Sequence, residues 1–522
     1  MAREHNTPVD VLFVNPPSPD RFVYIRDINR HGRSSWERMV WPQTSLAYLA
    51  AVAQKLGLTV DIVDCIAERI AWPEYEGILR ACRPRYCFSN VISVTYSNDI
   101  RALRTAKQIS GAVTVGMGPH LTDSPGRSLA EADGLDFVIR GEAEGTVAEL
   151  LDVHEHGQGA DVDRLRAVSG IAFVPARLTA GGDTTPVVTS DRPFIEDMDS
   201  LPRPRHDLLP LDRYWAPFLG HYTFVEASRG CAYRCIFCRQ AVMWKWRYRR
   251  RSGAALAEEA LYVHSLGVDN ILFHADTFTL SQELVEETCD ALIAAGSPFR
   301  WACNTHVLNL YGKPELVAKM RRAGCWMIAV GIESGDDTVL ETIRKQITVA
   351  KAESVVRMIN DAGIEAWGYF VLGFPGETPR QMQKTVDFAC SLPLKMAKFD
   401  IAAPYPGTEF HRYCLEHGYL KIDQYEQFDQ NASAVVEYPQ LSRKQIKRAA
   451  LRANVRFFLR PRMVWRLVRE ALYPTALMTL GLIARDQFLM LARVARRRRD
   501  ATVRCAVGRP ASESVKHCEA QR

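Results

Sequence analysis

The chain has 522 residues, of which 47% are hydrophobic and 24% carry a charge, with a formal net charge of +6. That length is more than one hydrophobic core accommodates and predicts two or three domains, while the composition excludes a disordered or fibrous protein. Thirteen mostly isolated cysteines and a start without an apolar signal core argue against a small disulfide-rich secreted protein. We therefore expect a cytoplasmic protein whose cysteines are mostly buried thiols.

Short apolar runs alternate with helical patterns over residues 1–175, which we assign to a first α/β domain. A helix is predicted at 45–56, and buried strands are predicted at 9–14, 59–64, 86–95, 112–118 and 136–141. Strands separated by helices favour a doubly wound parallel sheet. Ligands of such sheets bind beyond the carboxyl ends of the strands.

Residues 176–216 are rich in proline and turn residues and are predicted to be a linker. Residues 217–425 hold six further βα units, with strands predicted at 222–228, 270–276, 299–305, 326–334, 366–374 and 398–406. Six such units predict a partial α/β barrel whose chemistry lies at the carboxyl ends of its strands.

Residues 426–500 are predicted to form a basic helical domain, and residues 501–522 a disordered tail. Between residues 441 and 522 there are 20 Lys and Arg but only 5 Asp and Glu, so binding to nucleic acid or an anionic membrane surface is one hypothesis. The alternative, which we favour, is an amphipathic helix that packs its apolar face on the barrel. The most apolar stretch, 471–484, is shorter than the roughly 20 residues that cross a membrane.

Three cysteines form the strongest signal in the chain: Cys231, Cys235 and Cys238 lie on a polar loop that leaves a predicted strand. Three thiols at this spacing can converge on one small inorganic centre. A structural zinc site normally takes four ligands, and no Cys or His nearby in the sequence supplies the fourth. A four-cysteine ferredoxin motif is also absent from the sequence. Three thiolates on a four-iron cube would leave one iron free to bind a chelating substrate.

The C-x3-C-x2-C pattern, with Phe237 before the last cysteine, resembles the signature of the radical S-adenosylmethionine (SAM) superfamily. The resemblance implies a [4Fe-4S] cluster whose open iron binds the amino and carboxylate groups of SAM. An electron from the reduced cluster then cleaves SAM to methionine and a 5′-deoxyadenosyl radical, which abstracts hydrogen from the substrate. It also implies an external one-electron reductant of the flavodoxin or ferredoxin type.

Four later segments resemble, in order, the SAM-binding strand ends of that superfamily: HADTFTL, GIESG, GFPGET and APYPGTEF. The resemblance implies a set of residues on the SAM side of the site: Phe237, Asp276, Glu333, Ser334, Gly373, Glu377 and Tyr405. His306 occupies a position where relatives often carry Arg, and its role, structural or catalytic, stays open.

The first domain is similar to the cobalamin-binding domain that precedes the radical SAM barrel in one large class, with segments such as NPPSP, GMGPHLTDSP and RGEAEGTVAELL. The resemblance implies a cobalamin-facing set: Asn15, Ser93, Thr95, Gly116, Gly118, Gly141 and Glu142. The D-x-H-x-x-G motif, through which His binds cobalt in cobalamin-dependent mutases, is absent from the sequence. We therefore interpret His120 as a pocket or turn residue, and the lower cobalt ligand stays open.

Together these resemblances imply a cobalamin-dependent radical SAM methyltransferase that methylates an unactivated carbon, less often phosphorus, of a small-molecule or natural-product intermediate. One SAM would methylate cobalamin and a second would supply the radical. A cobalamin-assisted oxidation or cyclisation in a pigment or lipid pathway is the alternative among enzymes, and a nucleic-acid- or membrane-binding protein is the alternative from another class. We expect no nucleic-acid partner, peripheral membrane contact stays a hypothesis, and the sequence does not indicate an oligomeric state.

Overall fold

The structure of the chain is a computed structural model that describes residues 5–20, 22–26, 32–35, 38–156, 161–179, 181–216, 219–422, 424–431, 433–461, 463 and 465. All of these residues belong to one unit, Met1–Trp465. The expectations for residues 466–522, which include the apolar stretch at 471–484 and the tail at 501–522, lie outside the described residues.

The first sheet has seven strands in the order β4-β1-β5-β6-β7-β8-β9. The strands from β4 to β7 are parallel, whereas β8 and β9 add to the β7 edge in antiparallel orientation. A separate hairpin is formed by β2 and β3. The strand bounds are β1 Val11–Asn15, β2 Val23–Ile25, β3 Arg33–Ser35, β4 Val60–Asp64, β5 Tyr86–Asn90, β6 Val113–Met117, β7 Phe137–Ile139, β8 Ile171–Phe173 and β9 Val187–Val188.

Helices cover both faces of this sheet, because alternate strand residues point to opposite sides. Val11 and Phe13 pack in one apolar cluster, and Leu12 and Val14 pack in another on the opposite face. The doubly wound parallel sheet expected from the sequence is confirmed. Its helices are α1 Thr44–Lys55, α2 Trp72–Cys82, α3 Tyr96–Ser110, α4 Pro119–Asp123, α5 Pro125–Glu131, α6 Glu144–His156 and α7 Val162–Ala167.

Strand β5 is shorter than the apolar run predicted at 86–95, since the chain leaves the sheet after Asn90. The carboxylate of Asp99 accepts hydrogen bonds from Ile92 N at 3.2 Å and from Thr95 Oγ1 at 2.6 Å. These bonds hold residues Ser93–Thr95 in a 3-10 turn that leads into α3. The polar end of the run therefore lies at the carboxyl edge of the sheet rather than inside it.

The connector predicted at 176–216 packs on the first sheet more closely than its turn-rich sequence indicates. It contributes β9 to the sheet. Leu208, Leu209 and Tyr214 are buried in the core of that sheet. Burial of these apolar side chains removes them from water and stabilises the packing of the connector.

The second sheet has six parallel strands in sequential order, β12-β15-β16-β17-β18-β19, which confirms the partial barrel. Two short hairpins, β10–β11 and β13–β14, flank its first strand. The bounds are β10 Trp215–Ala216, β11 Gly220–His221, β12 Thr223–Glu226, β13 Ser228–Arg229, β14 Arg249–Arg250, β15 Asn270–His274, β16 Arg300–His306, β17 Cys325–Glu333, β18 Glu365–Leu372 and β19 Met396–Ile401. Its helices are α8 Gln240–Met243, α9 Gly253–Ser265, α10 Gln282–Ala294, α11 Val307–Leu310, α12 Pro314–Arg322, α13 Asp337–Thr342, α14 Val349–Asp361, α15 Pro379–Ser391 and α16 Glu409–Glu416.

A segment from the first half of the chain packs against the second sheet. Met39 and Trp41 contact an apolar cluster that includes Phe224, and the ring centroids of Trp41 and Phe224 are 4.5 Å apart. The Tyr222 hydroxyl donates to Val40 O at 2.7 Å. The stretch that precedes α1 therefore ties the two sheets together.

The basic segment that begins after residue 440 forms one described helix, α17 Arg443–Phe458. Ile446, Ala450, Ala453 and Phe457 are buried, and Phe457 packs against Phe399 of β19 with 6.2 Å between ring centroids. The helix thus packs an apolar face on the barrel, as favoured from the sequence. Within the described part of the chain, no helix combines the length and apolarity needed to cross a bilayer.

Helix packing in the barrel gives a first prediction. A Cβ at Gly253, the first residue of α9, would lie 2.3 Å from Glu287 Cβ and 2.6 Å from Thr288 N of α10. Gly253→Ala should therefore destabilise the fold by about 1–3 kcal/mol, the usual cost of overpacking. Gly77 lies in α2, and an added methyl group there would meet no described atom within 4 Å, so Gly77→Ala should stabilise by about 0.5–1 kcal/mol. Thermal unfolding of both variants measures the contrast, and shifts of the same sign would contradict it.

Candidate functional site

The three cysteines lie on a loop, residues 230–238, that follows β13. Gly230 enters this loop with φ 87°, and a Cβ there would lie 1.8 Å from Arg247 O, so only glycine fits. Its backbone N–H donates to Asp276 Oδ2 at 2.9 Å. Asp276, one of the residues expected on the SAM side, is therefore close to the start of the cysteine loop.

The thiols of Cys231, Cys235 and Cys238 lie close enough together to influence one another electrostatically. Cys235 is buried and the other two are half-buried. Burial raises the pKa of Cys231 to about 11 and also raises the pKa of Cys235 and Cys238, with neighbouring carboxylates or thiols adding to it. Free thiols at this place stay protonated, so a cationic metal centre is what would make them thiolates.

The donor set fits a three-thiolate iron–sulfur cluster. No group of three or more His, Cys, Asp or Glu side chains among the described residues converges tightly enough to hold a single metal ion. A four-iron cube takes cysteine thiolates at separate corners, and Cys231, Cys235 and Cys238 on one loop can supply three of them. With three cysteines, one corner stays open for SAM.

A buried ion pair lies next to the cysteine loop. Glu333, at the end of β17, has φ 68° at a break in the β17–β18 register, and Lys345 Nζ donates to its Oε1 at 2.9 Å. Burial acts to lower the pKa of Lys345, but Glu333 and the thiols of Cys235 and Cys231 outweigh it, so the pKa lies above its ordinary value. Lys345 therefore stays charged beside Glu333, with the thiols of Cys231 and Cys235 nearby.

His306 supports the cysteine loop instead of facing it as a free base. Its ring stacks on Tyr233, between Cys231 and Cys235, with 3.7 Å between centroids and 17° between planes. Leu308 N donates to Nδ1 at 3.3 Å, so Nε2 carries the proton and donates to Lys345 O at 3.1 Å. Burial, with Lys345 nearby, lowers the pKa of His306 to about 2. A neutral, fully bonded imidazole is a structural support.

Two residues expected on the SAM side, Gly373 and Glu377, form a tight turn after β18. Glu377 Oε2 accepts from Gly373 N at 2.6 Å and from Phe374 N at 3.0 Å, and burial raises the pKa of Glu377 to about 7. Gly373 has φ 95°, and a Cβ there would lie 2.9 Å from Ile446 of α17. A cavity of about 320 Å³ borders this turn and the cysteine loop through Ile236.

The remaining residues expected on the SAM side make contacts within the barrel. Phe237 packs on Phe374 with 5.2 Å between ring centroids. Ser334 is fully buried, and its hydroxyl lies 3.1 Å from Thr385 Oγ1. Tyr405 is buried in the segment that follows β19, where burial raises the pKa of its hydroxyl.

At the carboxyl edge of the first sheet, Asn15 and Thr95 are joined by a buried arginine. Arg26 is fully buried and donates to Asn15 Oδ1 at 3.2 Å, Thr95 Oγ1 at 3.2 Å and Asp99 Oδ1 at 3.0 Å. Two buried polar atoms at this edge, Arg26 Nη2 and Asn90 Oδ1, have no hydrogen-bond partner among the described residues. One donor and one acceptor left over fit a ligand rich in amide groups, such as cobalamin.

Ser93 and Gly118 lie at the same edge, around His120. Ser93 Oγ is 2.9 Å from His120 Nδ1. Burial, with Arg239 and Arg127 adding to it, lowers the pKa of His120 to about 4, so the imidazole is neutral. Gly118 has φ 120°, and a Cβ there would lie 2.9 Å from Val91 O.

Two residues of the expected cobalamin-facing set, Gly116 and Glu142, make close contacts within the protein. Gly116 lies within β6, where a Cβ would lie 2.7 Å from Leu121 Cδ1, so it serves helix packing. Glu142 is buried and its carboxylate is bound by Arg229 and Arg249, because a buried carboxylate requires cationic partners. Gly141, which precedes it, has φ 68° and open space on its Cβ side.

Comparison with known proteins agrees with this geometry. Residues 225–389 match the model of the Radical SAM superfamily, and residues 38–151 match that of the B12 binding domain. The chain is 30% identical over 426 residues to an uncharacterized methyltransferase from Pyrococcus horikoshii, covering 81% of this chain and 89% of that protein. The chain belongs to the cobalamin-dependent radical SAM methyltransferase family. The enzyme therefore uses a [4Fe-4S] cluster, SAM and cobalamin, as the sequence predicted.

Two further comparisons place this radical SAM enzyme among its relatives. It is 27% identical to the anaerobic magnesium-protoporphyrin IX monomethyl ester cyclase of Cereibacter sphaeroides, over 74% of this chain and 62% of that protein. Its fold matches the structure of the radical SAM methyltransferase TsrM from Kitasatospora setae, with cobalamin and a [4Fe-4S] cluster bound, at a TM-score of 0.60 and 18% identity. That match covers 78% of this chain and 74% of TsrM.

Sequence reasoning missed Lys345 and Arg26. Each is a single basic residue, and the sequence around it resembles that around the many basic residues on the surface. Lys345 is 12 residues from Glu333, and Arg26 is 73 residues from Asp99. Only the burial of each side chain beside a carboxylate reveals them.

The glycine at the start of the cysteine loop gives a second prediction. Gly230→Ala should lose most of the cluster, because the new methyl group collides with Arg247 O and displaces Cys231. Gly267→Ala is the matched control: Gly267 has a similar φ of 91°, but an added methyl group there would meet no described atom within 4 Å. Iron and sulfide content and the visible absorbance after anaerobic reconstitution measure the outcome, with the Cys231, Cys235 and Cys238 triple alanine variant as the cluster-free reference. Equal iron content in both glycine variants would contradict it.

Proposed function

We propose that this enzyme methylates an unactivated carbon of a small molecule, with its substrate held between the cysteine loop and the cobalamin edge of the first sheet. One observation carries the proposal: the cysteine loop is in contact with the carboxyl edge of the first sheet. Arg239, which follows Cys238, is buried and donates from Nη2 to Pro119 O at 2.8 Å. Pro119 begins α4 directly after β6, at the carboxyl edge where cobalamin is expected.

When bound, the cluster supplies the electron that cleaves SAM, and cobalamin supplies the transferable methyl group. The protein's own part is to hold these groups in register and to exclude water. Glu333 and Lys345 present a carboxylate and an ammonium group side by side next to the thiols. We propose that this pair receives the amino-acid end of SAM, whose ammonium and carboxylate groups carry the complementary charges.

An oxidative ring closure is the second candidate, since a cyclase is among the relatives. Both reactions begin with hydrogen abstraction and differ in what happens to the substrate radical. Methylation consumes one SAM as methyl donor and yields S-adenosylhomocysteine, whereas ring closure does not. A one-electron donor of the flavodoxin or ferredoxin type and a cytoplasmic location are further parts of the proposal.

The proposal is tested by anaerobic incubation of the reconstituted enzyme with reductant, methyl-labelled SAM and fractionated extracts. We expect a labelled product heavier by one CH₂ group, with S-adenosylhomocysteine and 5′-deoxyadenosine formed in equal amounts. Formation of 5′-deoxyadenosine with an unlabelled oxidised product, and without S-adenosylhomocysteine, would favour ring closure and reject methylation. Mass spectrometry of products and both nucleosides gives the decision.

The Glu333–Lys345 pair gives its own prediction. Glu333→Gln should weaken SAM binding by about tenfold, the loss of one charge-assisted hydrogen bond of about 1.5 kcal/mol, while the iron content stays the same. Glu353→Gln is the control, because Glu353 makes an exposed pair with Arg357 at 2.7 Å on α14, and neither residue lines the cavity beside the cysteine loop. Equilibrium dialysis with labelled SAM measures both. Wild-type affinity in Glu333→Gln would show that Glu333 only shapes the end of β17.

A further inference from the structure

We propose that five buried charged residues couple the cobalamin edge of the first sheet to the cysteine loop, so that cobalamin binding and cluster assembly strengthen each other. The five are Glu142, Glu144, Glu226, Arg229 and Arg249, and we call them the bridging ion cluster. The proposal deepens the proposed function and rests on it only in requiring that both cofactors bind. It concerns how the protein keeps its two cofactors in one arrangement.

Arg229 is the centre of the bridging ion cluster and lies two residues before Cys231. Its side chain is 2% exposed. It donates from Nη1 to Glu142 Oε1 at 3.0 Å, from Nη2 to Glu144 Oε1 at 2.6 Å, and from Nε to Glu226 Oε2 at 3.0 Å. Two of these carboxylates belong to the first half of the chain, so a single guanidinium joins both sheets.

Arg249 lies at the end of the cysteine loop, on β14. It is paired with Arg229 across the β13–β14 hairpin, and its Nη1 lies 2.6 Å and 2.7 Å from the two oxygens of Glu142. Residues 230–248, which include all three cysteines, therefore form a loop whose two ends are held by one carboxylate of the first sheet. Movement of Glu142 must shift the base of that loop.

Aromatic rings enclose the two guanidinium groups and keep water away. The Cζ atom of Arg249 lies 4.5 Å from the ring centroid of Phe194 and 5.3 Å from that of Trp244. The Cζ atom of Arg229 lies 5.8 Å from Tyr48 and from Trp244. In such surroundings a charge cannot exchange its protein partner for water without a large penalty, so the contacts break and form together.

The bridging ion cluster reaches the cobalamin edge without a flexible spacer. Glu142 follows Gly141, whose surroundings are open, and Glu144 is the first residue of α6. Gly141 N donates to Thr122 Oγ1 at 3.2 Å, which limits the freedom of this turn. A ligand that orders this turn also orders Glu142 and Glu144, and through them the cysteine loop. Thermodynamic linkage makes the effect reciprocal.

The test measures hydroxocobalamin binding to the full-length protein with and without its cluster, the cluster-free form being prepared by iron chelation. We expect the cluster-loaded wild type to bind cobalamin about fivefold more tightly or better, which is the usual lower range for coupled sites. In Glu144→Gln the ratio of the two dissociation constants should fall to near one. This variant keeps Glu142 and Glu226 as partners for Arg229, which favours a folded protein.

Glu259→Gln is the matched control. Glu259 is equally buried, but its carboxylate is bound by His206 at 3.0 Å and by Arg251 instead of by Arg229 or Arg249. It should keep the wild-type ratio. Should Glu144→Gln fail to fold, Arg229→Lys replaces it, since lysine keeps the charge but cannot bind several carboxylates as a planar fork.

A second measurement, the rate of iron loss to a chelator with and without cobalamin, reads the same coupling from the other side. Cobalamin should slow iron loss in the wild type and in Glu259→Gln, and have little effect in Glu144→Gln. A wild-type ratio of one, or equal losses in Glu144→Gln and Glu259→Gln, would overturn the proposal. Neither measurement needs turnover, so both remain valid if the enzyme acts on a different substrate or catalyses ring closure. A wild-type protein that binds no iron or no cobalamin would reject both this proposal and the proposed function.

Discussion

The base of the cysteine loop is the constraint on which the rest of the site depends. Residues 230–248 leave and re-enter the fold through a two-residue pair of strands, β13 and β14. So short a hairpin is weak by itself. Its stability here comes from buried ion pairs and from Gly230, whose backbone no other residue could replace without a collision. This base keeps the three thiols near one another before the metal centre binds.

The electrostatic environment of the cysteine loop favours a bound anionic group. The thiols are buried and protonated in the absence of metal, and one buried ammonium group, Lys345, lies close to them. His306 adds no charge, since burial keeps it neutral, and it contributes a flat surface for Tyr233. The buried thiols therefore have positive charge beside them, from Lys345 near Cys231 and Cys235 and from Arg239 near Cys238. That combination suits an anionic, thiolate-ligated cluster and the carboxylate end of an amino acid.

The first sheet buries many polar groups at its carboxyl edge. Arg26 donates a hydrogen bond to each of three buried residues at this edge, Asn15, Thr95 and Asp99. Such a network is stable only when nearly every member has a partner. Among the described residues, Arg26 Nη2 and Asn90 Oδ1 are buried at this edge without a hydrogen-bond partner, and a ligand that reaches the edge can supply one.

The local pattern of the chain determined the two α/β sheets, the cysteine spacing and the order of the SAM-side segments, because strand alternation, helical periodicity and ligand spacing are properties of neighbouring residues. Prediction failed where partners are far apart in the chain. Glu142 and Arg229 are 87 residues apart, and Trp41 packs on Phe224 across an even longer stretch. The tertiary structure alone decided that Glu142 holds the cysteine loop, that Lys345 faces Glu333 and that the connector packs on the first sheet. A buried charge or ring takes whichever partner the packed sheets bring to it, and no local pattern encodes that choice.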